Sequence, residues 1–167
     1  MLYFAYGSNM HPERLRRRVP SREAIGVTEL AGYTLAFSKR GRDGSGKCTL
    51  IETEQRTARV HGVLYRIDPV HRVHLDEAEG LGFGYEALSV EISIERDRHR
   101  AFTYIAQAGH VDRTLMPFDW YKALVVEGAR HHGLHEAYLD VLRAVPAIED
   151  PDAERDALHR DVLTGIG

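Results

Sequence analysis

The chain has 167 residues, 43% hydrophobic and 28% charged, which is ordinary globular usage and far from the composition of a disordered chain. At this length roughly 70% of the extended chain's surface can leave water, so one domain spanning residues 1–167 folds without a metal or a disulfide framework, and the lone Cys48 excludes the latter. Lys and Arg number 22 against 25 Asp and Glu, a net charge of −3, which argues against nucleic acid as a partner.

The opening run Met1–Tyr6 has no basic leader and is too short for a signal peptide. No stretch approaches the roughly 20 apolar residues of a membrane span, so a cytoplasmic protein with no membrane partner is expected. Leu2–Tyr6 reads as a short apolar strand. Pro12 and Glu13 suit the first turn of a helix, which carries Arg14, Arg16, Arg17 and Arg18 and is stopped by Pro20. Strands are predicted at Ala24–Leu30, Tyr33–Lys39, Cys48–Thr53 and Val60–Ile67, with the Gly-rich stretch Gly41–Gly46 joining the middle pair. Asp68-Pro69 opens a helix that runs to Glu79 and ends at Gly80.

Leu88, Val90, Ile92 and Ile94 then alternate with Ser89, Glu91, Ser93 and Glu95, the period of a half-buried strand. Arg100–Ala106 is expected to pair with it across a turn at Asp97–His99. After Pro117 the period becomes helical. Trp120, Leu124, Val125 and Val126 define one helix, with Gly133 past its end. Ala137, Leu139, Leu142 and Val145 define a second, and Asp150-Pro151 opens a third carrying Ala157, Leu158, Val162 and Leu163. Strands first and helices last give an α+β fold, a small curved mixed sheet or barrel with helices packed at one side. The final helix reads as lying over the sheet or at an interface.

Two segments have the residue types for chemistry. Tyr6-Gly7-Ser8-Asn9 places a Gly and two small polar residues between a strand end and a helix, where successive amides form a concave anion site. The same residues also read as a plain turn with a helix cap. Leu75-Asp76-Glu77-Ala78-Glu79-Gly80 ends a helix with three carboxylates. Asp76 and Glu77 suit a solvated face. Glu79 precedes the apolar Leu81 and Phe83, and a carboxyl held there without a partner is expected to have a raised pKa, which suits general acid–base work. A surface carboxylate is the competing reading.

Gly41-Arg42-Asp43-Gly44-Ser45-Gly46-Lys47-Cys48 has the spacing of a phosphate loop, but Cys48 replaces the metal-binding hydroxyl and a strand follows instead of a helix. It is rejected as a nucleotide site, with Lys47 kept as a cationic contact over a pocket. His71, His74, His131, His132 and His135 match no specific zinc pattern and read as solvated, so no metal is expected. The Arg14–Arg18 run reads most simply as a solvated helix face, with contact to an anionic partner as the lesser alternative.

Together, Tyr3–Met10, Leu75–Gly80 with Tyr85, and Pro117–Lys122 leading to Gly133-Leu134 resemble the gamma-glutamylcyclotransferases (the AIG2-like family), over about residues 1 to 146. The resemblance implies a compact gamma-glutamylcyclotransferase-like fold and release of an amine or amino acid from a gamma-glutamyl group as 5-oxoproline forms, with no metal or organic cofactor. It implies that Tyr6, Gly7, Ser8 and Asn9 hold the gamma-glutamyl group, that Glu79 is the catalytic acid/base, and that Tyr85 and Tyr121 line the pocket. Asn9 stands where the glutathione-specific branch carries an apolar residue, which points away from glutathione. The partner is thus a small gamma-glutamyl molecule, with a homodimer left open. A non-catalytic binding module of the same fold, or an enzyme removing a gamma-glutamyl group in a biosynthetic pathway, are the alternatives.

Overall fold

The computed structural model describes residues 1–94 and 97–165; Glu95, the last residue of the predicted alternation, lies outside them. Five strands form one sheet: β1 (Leu2–Ala5), β2 (Glu23–Ala31), β5 (Arg59–Arg66), β6 (Tyr85–Ile94) and β7 (Asp97–Ala106), in the order β2-β5-β1-β7-β6. β3 (Tyr33–Arg40) and β4 (Gly46–Glu52) form a separate hairpin. β1 lies at the centre, antiparallel to β5 and parallel to β7, with Tyr3 opposite both Tyr65 and Phe102. A central strand is covered on both faces, which is why Leu2–Ala5 is uniformly apolar.

The sheet is curved and not closed into a barrel. Its edge strands β2 and β6 approach each other, and Thr28 Oγ1 donates to the Ser93 carbonyl at 2.8 Å. No ladder joins these edges among the described residues. In β6 the predicted alternation holds, with Val90 and Ile92 buried and Ser89, Glu91 and Ser93 exposed. The predicted turn at Asp97–His99 does not form: these residues lie in β7, opposite Ile94, Ser93 and Ile92. Polar composition alone marked a turn there, but on a strand with one wet face polar residues are equally at home.

The helices are α1 (Pro12–Arg18), α2 (Arg72–Glu79), α3 (Asp119–His131), α4 (Glu136–Arg143) and α5 (Ala153–Thr164). Among the described residues none is long and apolar enough to cross a membrane. The Asp68 side chain caps the turn Pro69–His71 that leads into α2, and Gly80 closes α2 in the left-handed conformation, φ 68°. Tyr65 Oη and His132 Nε2, 2.8 Å apart, both bond the Met10 carbonyl, so His132 is a half-buried anchor and not a solvated histidine.

α5 packs mainly on α3 and α1. Ala157 and Leu158 face solvent, and the docked face carries His159 and Arg155 beside the expected Val162. His159 stacks on Trp120 with ring centroids 3.8 Å apart. Asp150 accepts from both Trp120 Nε1, at 2.8 Å, and Arg155, tying the start of α5 to α3. Of the apolar residues expected to carry this helix, Val162 is buried and Leu163 packs against the core, while Ala157 and Leu158 are replaced on the docked face by polar and aromatic contacts.

α3 runs against the loop that follows β1, and Gly128 sets their separation. A Cβ there would lie 2.5 Å from His11 N and 2.6 Å from Met10 C, closer than backbone atoms can move to accommodate. Gly128→Ala is expected to cost about 2 kcal/mol or more through this overpacking, read as a lower urea midpoint with an unchanged slope. An unchanged midpoint would show that the helix and loop can separate freely.

Candidate active site

The strand β1 delivers Tyr6 and Gly7 to the mouth of the sheet, where the chain turns through a single 3-10 turn, Ser8–Met10. Its first hydrogen bond, Met10 N to Gly7 O at 2.9 Å, leaves the Ser8 and Asn9 amides ahead of it outside the turn's own bonding. The C-terminus of α2 brings Glu79 to the same place. Tyr6, Gly7, Ser8, Asn9, Glu79 and Tyr85 line one small pocket, and Tyr121 from α3 completes it. Every site residue expected from the sequence is in this group. Tyr3, Tyr104 and Cys48 also line it and were not singled out.

The tyrosine hydroxyls are committed to the scaffold. Tyr6 donates to the Tyr104 carbonyl at 2.5 Å, Tyr85 donates to the Cys48 carbonyl at 2.6 Å, and Tyr121 accepts from the Cys48 amide at 3.0 Å. Tyr104 donates to Asp76, so Asp76 is a half-buried acceptor and not a member of a solvated face. Burial pushes all of these phenols well above their usual range, so they are neutral near pH 7. Burial also pushes the Cys48 thiol up to about 12, which leaves no thiolate for nucleophilic attack.

Glu79 differs from its sequence reading. It is not unpaired: Arg18 Nη1 lies 2.5 Å from Oε1, and Asn9 Nδ2 donates to the same oxygen at 2.9 Å. Arg18 also donates to Asn9 Oδ1 at 2.7 Å, and Asn9 Nδ2 donates to Tyr3 Oη at 2.8 Å. Phe83 is 79% exposed and does not cover the carboxyl. The carboxyl is therefore held by two polar partners and is not left alone against apolar side chains. Among the described residues Oε2 has no hydrogen-bond partner, and Glu79 sits where the small pocket meets a wider cleft.

That cleft encloses about 220 Å³ between the Gly41–Lys47 loop, the α2–β6 loop and α5. Arg14 and Arg18, four residues apart on α1, both turn toward it while Arg16 and Arg17 face solvent. The run is thus a solvated face only on one side. The spacing i, i+4 was the available signal, but it does not say which way the helix faces. The Gly41–Lys47 loop is a hairpin turn with Cys48 in β4, as its rejection as a phosphate loop requires. Lys47 stands over Trp120 at 4.8 Å and is paired with Asp43 at 2.7 Å.

The profile of the family described as "Gamma-glutamyl cyclotransferase, AIG2-like" matches residues 3–123. The chain belongs to this family. It is an enzyme family, and the matched span holds every residue of the pocket. The chain is 28% identical to the gamma-glutamylcyclotransferase of Mus musculus over 150 residues, 86% of this chain and 78% of that protein. It is 27% identical to that of Homo sapiens with the same coverage. A solved structure described as a gamma-glutamyl cyclotransferase superposes with TM-score 0.84 at 24% identity, covering 96% of this chain and 98% of the other. An uncharacterized Homo sapiens protein superposes at 0.82 with 25% identity, covering 95% and 97%.

His159 roofs the cleft beside these cations. Burial, then Arg14, Lys47 and Arg18, lowers its pKa from 6.5 to about 4, and buried His11 is lowered to about 4 as well. The unfolded chain takes up these protons near 6.5 while the folded chain resists to about 4. Stability present above pH 6.5 is therefore lost progressively as pH falls toward 4. The single Trp120, stacked on His159, reports it by fluorescence. His159→Phe keeps the stack and is expected to shallow the acid-side loss, with the His11 contribution remaining. An identical slope in both proteins would remove His159 from the titration.

Proposed function

We propose that the protein cyclises a small gamma-glutamyl amine or dipeptide to 5-oxoproline in the cytoplasm, as one domain over residues 1–167, with Glu79 as general acid/base. The observation that carries this reading is the split use of the Glu79 carboxylate. Oε1 is held by Arg18 and Asn9, which fixes the side chain, while Oε2 is open at the junction of the pocket and the cleft.

The reaction is intramolecular, so geometry supplies much of the acceleration. The gamma-glutamyl group folds back inside the tyrosine-lined pocket, and its α-nitrogen approaches its own γ-carbonyl carbon. Glu79 Oε2 takes the proton that the attacking nitrogen must lose. A carbon–nitrogen bond forms, the bond to the leaving nitrogen breaks, and Glu79 returns the proton to that nitrogen. The Ser8 and Asn9 amides offer donors to the α-carboxylate or to the developing oxyanion. Tyr6 and Tyr85 hold the walls with hydroxyls that already donate to backbone carbonyls, while Tyr121 accepts from the Cys48 amide and keeps its own hydroxyl proton as a donor.

Glu79→Gln keeps the acceptor for Arg18 and Asn9 but loses the base. It is expected to lower kcat by 10² or more, on the order of general acid–base contributions, with KM little changed. The assay is 5-oxoproline detected by mass from a panel of gamma-glutamyl dipeptides and amines. Turnover that survives this change would remove Glu79 from the catalytic role.

A further inference from the structure

The cleft beyond Glu79 is strongly cationic on a chain whose net charge is −3. Five basic side chains line it: Arg14, Arg18, Lys39, Arg42 and Lys47. The carboxylates facing them are Asp43 and Glu79, and these are paired with Lys47 and Arg18. Arg14, Lys39 and Arg42 have no acidic partner among the described residues.

Lys39 is the most informative of the three. It is 7% exposed, its ammonium makes no hydrogen bond among the described residues, and it stands 4.5 Å over the Tyr85 ring. The ammonium reaches the cleft wall with no carboxylate beside it, where it is placed to meet an anion. Gly84 makes the room, because a Cβ there would lie 3.1 Å from the Lys39 nitrogen. Arg14 adds a second orphan, its buried Nε having no partner. Burial and Arg18 press the Arg14 guanidinium downward, and Lys39 is pressed the same way by burial. Arg42 reaches over Gly80 from the exposed hairpin, 3.6 Å from where a Cβ would stand. Lys39 and Arg42 therefore approach the two ends of the Gly80–Gly84 loop, in the cleft that Glu79 and Ser8 also line.

We propose that this cleft receives the amine-bearing fragment of the gamma-glutamyl substrate and that the fragment carries two or more negative charges, as carboxylates or as a phosphate. The inference rests on the cyclisation reading above and narrows its substrate class. The gamma-glutamyl group occupies the pocket, so the anionic groups that compensate the three unpaired cations of the cleft belong to the leaving fragment, and a cationic leaving amine is repelled.

The test compares initial rates of 5-oxoproline formation from gamma-glutamyl-glutamate, gamma-glutamyl-phosphoethanolamine, gamma-glutamyl-alanine, gamma-glutamyl ethylamide and gamma-glutamyl-lysine. One charge-assisted contact is worth about tenfold or more, so the two dianionic fragments are expected to exceed the ethylamide by at least about that factor in kcat/KM, with the lysine compound poorest. Which dianion leads distinguishes carboxylate from phosphate. Arg42→Ser, on the exposed loop, and Lys39→Met are each expected to shrink the dianion-to-ethylamide ratio about threefold or more, and Lys39→Arg to restore it. Calorimetry on the wild-type protein with the same compounds separates the two claims where turnover is absent. Product formed at equal rates from neutral and dianionic compounds would overturn the anion site and leave cyclisation intact. Selective binding of the dianions without 5-oxoproline would keep the anion site and overturn cyclisation. Neither product nor selective binding would overturn both.

Discussion

The site depends on one partly buried cluster, Arg18–Glu79–Asn9. Glu79 lies 61 residues from Arg18 and 70 from Asn9, so the three side chains meet only when the turn after β1, helix α1 and the end of α2 are all in place. Arg18 and Glu79 are each poorly tolerated alone in a half-buried place, because an unpaired charge there loses its water without compensation, and the Asn9 side-chain amide needs partners for the same reason. Together they satisfy one another through charge-assisted hydrogen bonds. The arrangement fixes one carboxylate oxygen and leaves the other open. A base fixed in orientation by its neighbours needs no further ordering when substrate arrives.

The rest of the fold serves to hold this cluster against a closed wall. β1 sits in the middle of the sheet, so the residues that follow it, Gly7 to Asn9, emerge at a place that neither edge strand can distort. Gly128 lets α3 press on the turn from behind, and Tyr65 with His132 holds the Met10 carbonyl. The tyrosines and Cys48 form a tight wall of neutral groups. With the thiol pushed up to about 12 and the phenols bonded to backbone, Glu79 is the group in the pocket free to move a proton. The balance of charge changes abruptly beyond it, where Arg14, Lys39 and Arg42 open a second, cationic compartment.

Much of the fold was legible because its signals are local. The alternation from Leu88 to Ile94, the Asp68-Pro69 start, the Gly80 stop and the apolar strand before Gly7 each depend on near neighbours. Misreadings occurred where a distant contact decided. Asp97–His99 look like a turn until Ile92–Ile94 lie opposite them. Ala157 and Leu158 look like the buried face of α5 until Trp120 claims His159. In the site, Glu79 and the Tyr6–Asn9 turn stood out by motif. Arg18, which supplies the counter-charge, was hidden in a run of four arginines of which only two face inward. Asp76 on α2 was hidden likewise, as its partner Tyr104 comes from the distant strand β7.

The most direct measurement of the central claim is a double-mutant cycle on Arg18→Met and Glu79→Gln, read in kcat for a gamma-glutamyl substrate with a neutral leaving amine. If Arg18 acts by holding the catalytic carboxylate, its loss matters only while that carboxylate is present, and the double variant will be no slower than Glu79→Gln alone. Losses that multiply would show that Arg18 and Glu79 act independently, and would contradict the account of the cluster as a single catalytic unit.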